Sequence, residues 1–248
     1  MDGILYGLGL GFLVFTADFS KPDALFLQRE NNPDAIAQAQ ALYETILNHS
    51  PDGIEGIRAM DQLGKLAYYE GELLTPLEAS DKRKKIFAQT QALAEKAGSA
   101  YWKVLNLALW SKAAGPALAW WYIRDFKEAA QKALMQEPTT HGGGIYRLLA
   151  AVYVSSPVLG YYDLYQPQLA LEYIEKALKI APEHLECYFI KASVLKALGR
   201  IEEGKQLLKE QLASPLVFSE LEPENKIILK RMAEKLQRWS EGVADDVD

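Results

Sequence analysis

LALEYIEKALKIAPEHLECYFIKASVLKALGR, Leu169 to Arg200, is the stretch whose reading decides the fold. Ala170, Ile174 and Ala177 are spaced four and three apart, so they share one stripe of a helix. Pro182 closes that helix, because proline lacks a donor and clashes with the preceding turn. A second apolar-periodic segment follows, with Tyr188 and Ala192, and Gly199 marks its end. A third begins at Ile201, with Gly204 and Leu208 on its apolar side.

The same spacing occurs twice more. AQALYETILNHSP places Ala39, Tyr43, Ile46 and Pro51 in register, and FKEAAQKALMQEP does so with Phe126, Ala130, Ala133 and Pro138. Each proline is followed by a partner helix carrying small residues. Gly64, Ala150, Ala192 and Gly204 let helices approach closely, while Tyr43 and Tyr153 fill the gaps between pairs. No segment alternates with the period of two expected of a strand. The expectation is an all-α chain of about ten or eleven helices.

This pattern resembles the tetratricopeptide repeat, whose antiparallel helix pairs stack into a right-handed solenoid. AIAQAQALYETILNHSP and the opening stretch carry the resemblance best. In such a solenoid the first helix of each pair lines the concave face. That register puts Leu107 and Trp110 in the groove, then Arg147, Ala151 and Val154, then Phe189, Ser193 and Lys196. Two insertions, GELLTPLEAS and SSPVLGYYDLYQP, interrupt the spacing of the repeats.

EPTTHGGGIYRLLAAVY, Glu137 to Tyr153, admits two readings. A glycine run opening a helix cradles phosphate in some proteins, and H-G-G-G forms an oxyanion hole in esterases. The esterase reading needs a G-x-S-x-G elbow on a strand-rich fold, and the phosphate reading needs G-x4-G-K-[ST]; the sequence contains neither. The glycines therefore read as a tight reversal between helices, with Tyr146 and Arg147 beside bare backbone. No catalytic residue and no cofactor is expected. His184 and Cys187, spaced H-x2-C, offer two metal ligands without evident partners, so no metal site is expected.

Composition narrows the function further. The net charge of −6 disfavours nucleic acid as a partner, since phosphate binding needs a clustered basic surface. DKRKK, Asp81 to Lys85, reads as a solvated helix face. Glu202-Glu203 and the acidic tail at Asp245-Asp246 read the same way. Aromatics are dense in mid-chain: Tyr101, Trp102, Trp110, Trp120, Trp121 and Tyr122, then Tyr161, Tyr162 and Tyr165 in the insertion. Individually they suit core between helices. As a group they suit a pocket for an apolar ligand or partner, with Tyr146 and Phe189 added to it.

ILYGLGLGFLVF, Ile4 to Phe15, is uncharged and shorter than the ~20 apolar residues of a membrane span. It has the length of a signal-peptide hydrophobic core, although no basic residue precedes it, so export is expected. The alternative is an apolar segment tucked into the fold. Gly7, Gly9 and Gly11 lack the spacing and the preceding strand of a dinucleotide site. The expected organisation is an N-terminal segment over 1–20, a repeat domain over 21–215, and a C-terminal helix with an acidic tail over 216–248.

Residues Asp34 to Leu212 are also similar to the T-component family of TRAP transporters. The features that carry this are Glu137-Pro138, Gly142 to Gly144, Tyr146-Arg147, Pro157, Ala181-Pro182 and the SAYWKVLNLALWSKAAG helix. The resemblance implies an exported, non-enzymatic helical protein that works beside a solute-binding protein. It also implies an apolar cavity and trimeric assembly. The other reading is a general tetratricopeptide scaffold for protein assembly.

Overall fold

The computed structural model describes residues 17–155, 164–213 and 221–243, with the side chains of 116–124 left out. The segment over Ile4–Phe15 and residues Tyr161 and Tyr162 lie outside the described residues, as do the side chains of Trp120 and Trp121. Among the described residues every regular element is helical. The order is α1 (Ser20–Leu27), α2 (Pro33–His49), α3 (Ile54–Tyr68), a π-helical turn (Tyr69–Leu74), α4 (Ser80–Lys96) and α5 (Ala100–Ala114). Then come α6 (Pro116–Gln136), α7 (Thr140–Ser155), α8 (Pro167–Ile180), α9 (Leu185–Ala197), α10 (Ile201–Ala213) and α11 (Glu222–Ser240). Chain neighbours pack on one another, most extensively α4 on α5 and α7 on α8, then α5 on α6, α9 on α10 and α2 on α3. No helix among the described residues is long and apolar enough to cross a membrane.

The repeated spacing is a repeated structure. Ala39, Tyr43 and Ile46 of α2, Phe126, Ala130 and Ala133 of α6, and Ala170, Ile174 and Ala177 of α8 are all buried. The turns that follow share one geometry. Ser50, Glu137 and Ala181, each preceding a proline, adopt φ of −148°, −135° and −136° with ψ of 68°, 50° and 77°. A residue before proline is excluded from the helical region by the proline ring. Each of the three still donates its N–H back to the last template residue: to Ile46 O at 3.3 Å, Ala133 O at 2.7 Å and Ala177 O at 2.9 Å. The proline thus stops the helix while its predecessor satisfies an otherwise orphaned carbonyl.

The small residues do what close packing requires. A Cβ on Gly64 would lie 2.1–2.4 Å from the Trp102 indole, so α3 and α5 meet only because that atom is missing. Gly204 lets α10 rest on the Ala192 carbonyl of α9 in the same way. Gly64→Ala is therefore expected to destabilise by about 1–3 kcal/mol through overpacking, read as a lower midpoint in denaturant. A neutral result would show that Trp102 swings aside without cost.

One basic stretch departs from its reading as a solvated face. Asp81, Lys82 and Lys85 are exposed, but Arg83 is buried at 1 %. Its Nε donates to the Gly71 carbonyl at 2.9 Å, and its guanidinium pairs with Glu72. The π-helical turn leaves its backbone in need of such a partner, a demand that charge spacing in α4 does not display. The acidic pair of α10 behaves as read: Glu203 holds Arg200 and Glu202 holds Lys205, all at the surface or near it.

Candidate functional site

Helices α3, α5, α7, α9 and α11 together line a solvent-open cavity of about 990 Å³. Its wall is largely apolar, with Leu105, Leu109, Leu148, Val152, Ile190 and Ile228 among the lining side chains. A volume of this size is at the upper end of pockets that hold small organic molecules.

One end of the cavity is built on the glycine run. His141, Gly142 and Gly143 all lie in the left-handed region, at φ 51°, 60° and 74°, before α7 proper begins. Glycine takes this conformation freely, whereas histidine is held there at a cost of roughly 1–2 kcal/mol. Arg147, one helical turn further on, closes the left-handed turn. Its guanidinium donates to the carbonyls of His141 at 3.3 Å and Gly142 at 3.4 Å. Gly144 serves a different purpose: a Cβ there would meet the Tyr101 ring at 2.4 Å. The Glu137 carboxylate, just before this turn, accepts from the first N–H groups of α5 at 3.4 and 3.3 Å. That contact brings Tyr101 and Trp102 onto the glycine turn.

Arg147 and Glu186 form a buried pair at 2.9 Å, and the Tyr68 hydroxyl donates to the other Glu186 oxygen at 2.5 Å. Burial pushes the Glu186 carboxyl up, but Arg147, His184 and the Tyr68 hydroxyl outweigh it and hold it low. Arg147 is correspondingly raised by Glu186 against its own burial. Burial raises Tyr68 well above an ordinary phenol, with Glu186 adding to it, and raises Tyr101 to about 12.

The His141 ring lies 4.2 Å from the Tyr101 ring, tilted by 31°, and meets Trp102 edge-on at 4.9 Å. Its Nε2 lies 3.0 Å from an Asp61 oxygen that also accepts from Trp102 Nε1 at 3.3 Å. Burial pushes the His141 imidazole down to about 4, with Lys65 and Arg147 adding to the effect and Asp61 opposing it. At neutral pH this is a neutral ring donating Nε2–H to a carboxylate, not an ion pair. His184, also on the wall, is pushed down to about 4 by burial and by Arg147. Its Nδ1 is buried with no hydrogen-bond partner among the described residues.

Of the residues singled out from sequence, Arg147, Ala151 and Phe189 line the cavity, as do Val154, Ser193 and Lys196. Leu107 is buried in the main core and Trp110 packs against that core; neither belongs to the cavity wall. α5 reaches the cavity instead through Tyr101, Trp102, Leu105, Ala108, Leu109 and Lys112. Tyr146 points the other way, 6.1 Å from Tyr173 and under Lys176, within the contact between α7 and α8. Tyr165 of the insertion does line the wall, while Cys187 is buried in the core with its thiol pushed up to about 11 by burial. The contributions of α3 and α11, chiefly Asp61, Tyr68, Arg231 and Lys235, were not legible from the spacing of apolar residues. The sequence signal for α11 was present but partial: Ile228, Arg231 and Lys235 recur every three or four residues.

Fold and site together define a protein that is all-helical over its described residues, with adjacent helix pairs and a large, mainly apolar cavity open to solvent. No protein-family model matches the chain, and no curated protein matches it.

Proposed function

We propose that this chain is a non-enzymatic helical-repeat binding protein that holds an apolar or amphipathic small molecule in the cavity. The observation that carries this reading is the 990 Å³ cavity itself, walled by five helices and mostly by aliphatic and aromatic side chains. A mainly apolar concavity of this size left open to solvent is the usual mark of a binding site. Most polar groups at its glycine end are engaged with one another, Arg147 with Glu186 and the turn carbonyls and His141 with Asp61, His184 Nδ1 being the exception. That is the arrangement of a structural corner. Ser193, a serine on the wall, donates to the Phe189 carbonyl at 3.3 Å rather than to a histidine, and accepts from Lys235 Nζ at 3.2 Å, which fits binding better than acyl transfer.

The finer form of the proposal rests on the sequence resemblance. It is a right-handed solenoid of the tetratricopeptide kind, exported to the periplasm. There it assists solute uptake beside a TRAP-type solute-binding protein, with a trimer as the expected assembly. The concave, mainly apolar wall supports a ligand-holding role over that of a general scaffold.

The test uses N-phenyl-1-naphthylamine, a neutral apolar dye that brightens when buried. The native chain is expected to bind it, and Ala151→Trp, which fills the cavity from α7, is expected to weaken binding by about tenfold or more. No brightening with the native chain, or unchanged binding in the tryptophan variant, would overturn the reading.

A further inference from the structure

The charges on the cavity wall are not balanced in the way a neutral ligand would require. Three of the four carboxylates on the wall already have both oxygens engaged by protein donors. Glu224 is held by Arg29 through Nε at 3.0 Å and a terminal nitrogen at 2.7 Å, from behind the wall. Glu72 gives one oxygen to Lys112 at 2.9 Å and the other to Arg83, which also lies behind the wall. Glu186 is shared between Arg147 and Tyr68. The fourth wall acid, Glu183, is exposed on the turn between α8 and α9, on a different element from the α11 cations.

The cations on α11 are placed differently. Asn225, Ile228, Arg231 and Lys235 follow one another at intervals of three, three and four, so they form one stripe, and all of them line the cavity. Arg231 donates to the Glu72 carbonyl at 3.0 Å, and among the described residues no carboxylate lies within ion-pair distance of it. Lys235 is buried at 4 %, with Nζ on the Ser193 hydroxyl and 4.7 Å from the centre of the Phe189 ring. Two cations one turn apart on the same helix face repel each other. Arg231 is half-buried, with several guanidinium donors uncommitted and facing the cavity, a ready partner for an anionic group that enters it.

We propose that the occupant of the cavity is a single-chain amphiphile with an anionic head group, its head seated on Arg231 beside Asn225 and Lys235. Its apolar body then runs along Ile228, Leu148 and Leu105. This rests on the reading of the cavity as a ligand site and adds the sign of the ligand's charge and the position of its head. Carboxylate and phosphate heads share the chemistry, since both accept paired N–H donors from a guanidinium.

Titration calorimetry with dodecanoate, dodecyl phosphate and dodecanol separates the possibilities. At least one of the two anions is expected to bind about tenfold or more tightly than the alcohol, and which one does so identifies the head. Arg231→Gln is expected to collapse that preference, and Arg231→Lys to restore most of it, which a general loss of fold would not do. Equal affinity for dodecanol and both anions, or full preference retained in R231Q, would overturn the charge assignment while leaving the cavity reading intact. Binding of none of the three, together with failure of the neutral dye, would sink the ligand reading and this inference with it.

Discussion

Arg147→Ala is expected to lower stability by about 3–5 kcal/mol, the largest effect of any single change considered. The loss has two sources. Glu186 is left as a carboxylate at the cavity wall with only the Tyr68 hydroxyl and nearby His184 to oppose burial. The left-handed turn over His141 to Gly143 loses the donor that bridges two of its carbonyls. For a domain of this size the midpoint temperature falls by roughly 10 °C. The paired variant R147M with E186L removes both charges and is expected to recover part of the loss, because a buried ion pair is often replaceable by apolar volume. Its recovery stays incomplete, since methionine cannot hold the turn. A loss below about 1 kcal/mol in R147A would show that the pair is effectively solvent-screened and that the turn stands without it.

Acidification from pH 7 to 4 is expected to destabilise the protein steeply, and the two cavity histidines account for most of the slope. Both have folded values near 4 against an ordinary 6.5. A depressed histidine means that the unfolded chain binds the proton more readily, so stability rises with pH across that window and is lost as pH falls. Each histidine contributes about 2–3 kcal/mol by pH 4, converted at 1.36 kcal/mol per unit. Glu186 acts in the same direction at lower pH: its depressed carboxyl stabilises the fold above its unfolded value and ceases to do so once it is protonated. Chemical denaturation at several pH values is expected to show the slope between 6.5 and 4, and H141Q with H184Q is expected to flatten it. An unchanged slope in that double variant would mean that the rings are open to water and titrate normally.

How far the sequence could be read depended on what each helix buries. The repeated Ala39, Phe126 and Ala170 stripes were legible because α2, α6 and α8 each present one apolar face, and the prolines marked where those helices stop. The glycine run was legible as a reversal, and Gly142 and Gly143 do take the positive φ that a reversal there needs. α5 defeated the same reasoning. Apolar residues occur all around it because it meets α4, α6 and α7 on different sides, so periodicity points to no single face. Leu107 and Trp110 were therefore assigned to the groove one or two positions away from Leu105, Leu109 and Lys112. Tyr146 was misdirected for a related reason: it neighbours Arg147 in the chain, but adjacent helix positions differ by about 100° and face different helices. Asp61 with His141, and Arg83 with Glu72, are pairings across the fold, and no local spacing encodes them.

The most direct test of the central claim is native mass spectrometry of the chain purified from its own host. The account predicts one small acidic amphiphile retained per chain and absent from the Ala151→Trp variant. Native protein that carries nothing, with the tryptophan variant folding and behaving identically, would contradict it.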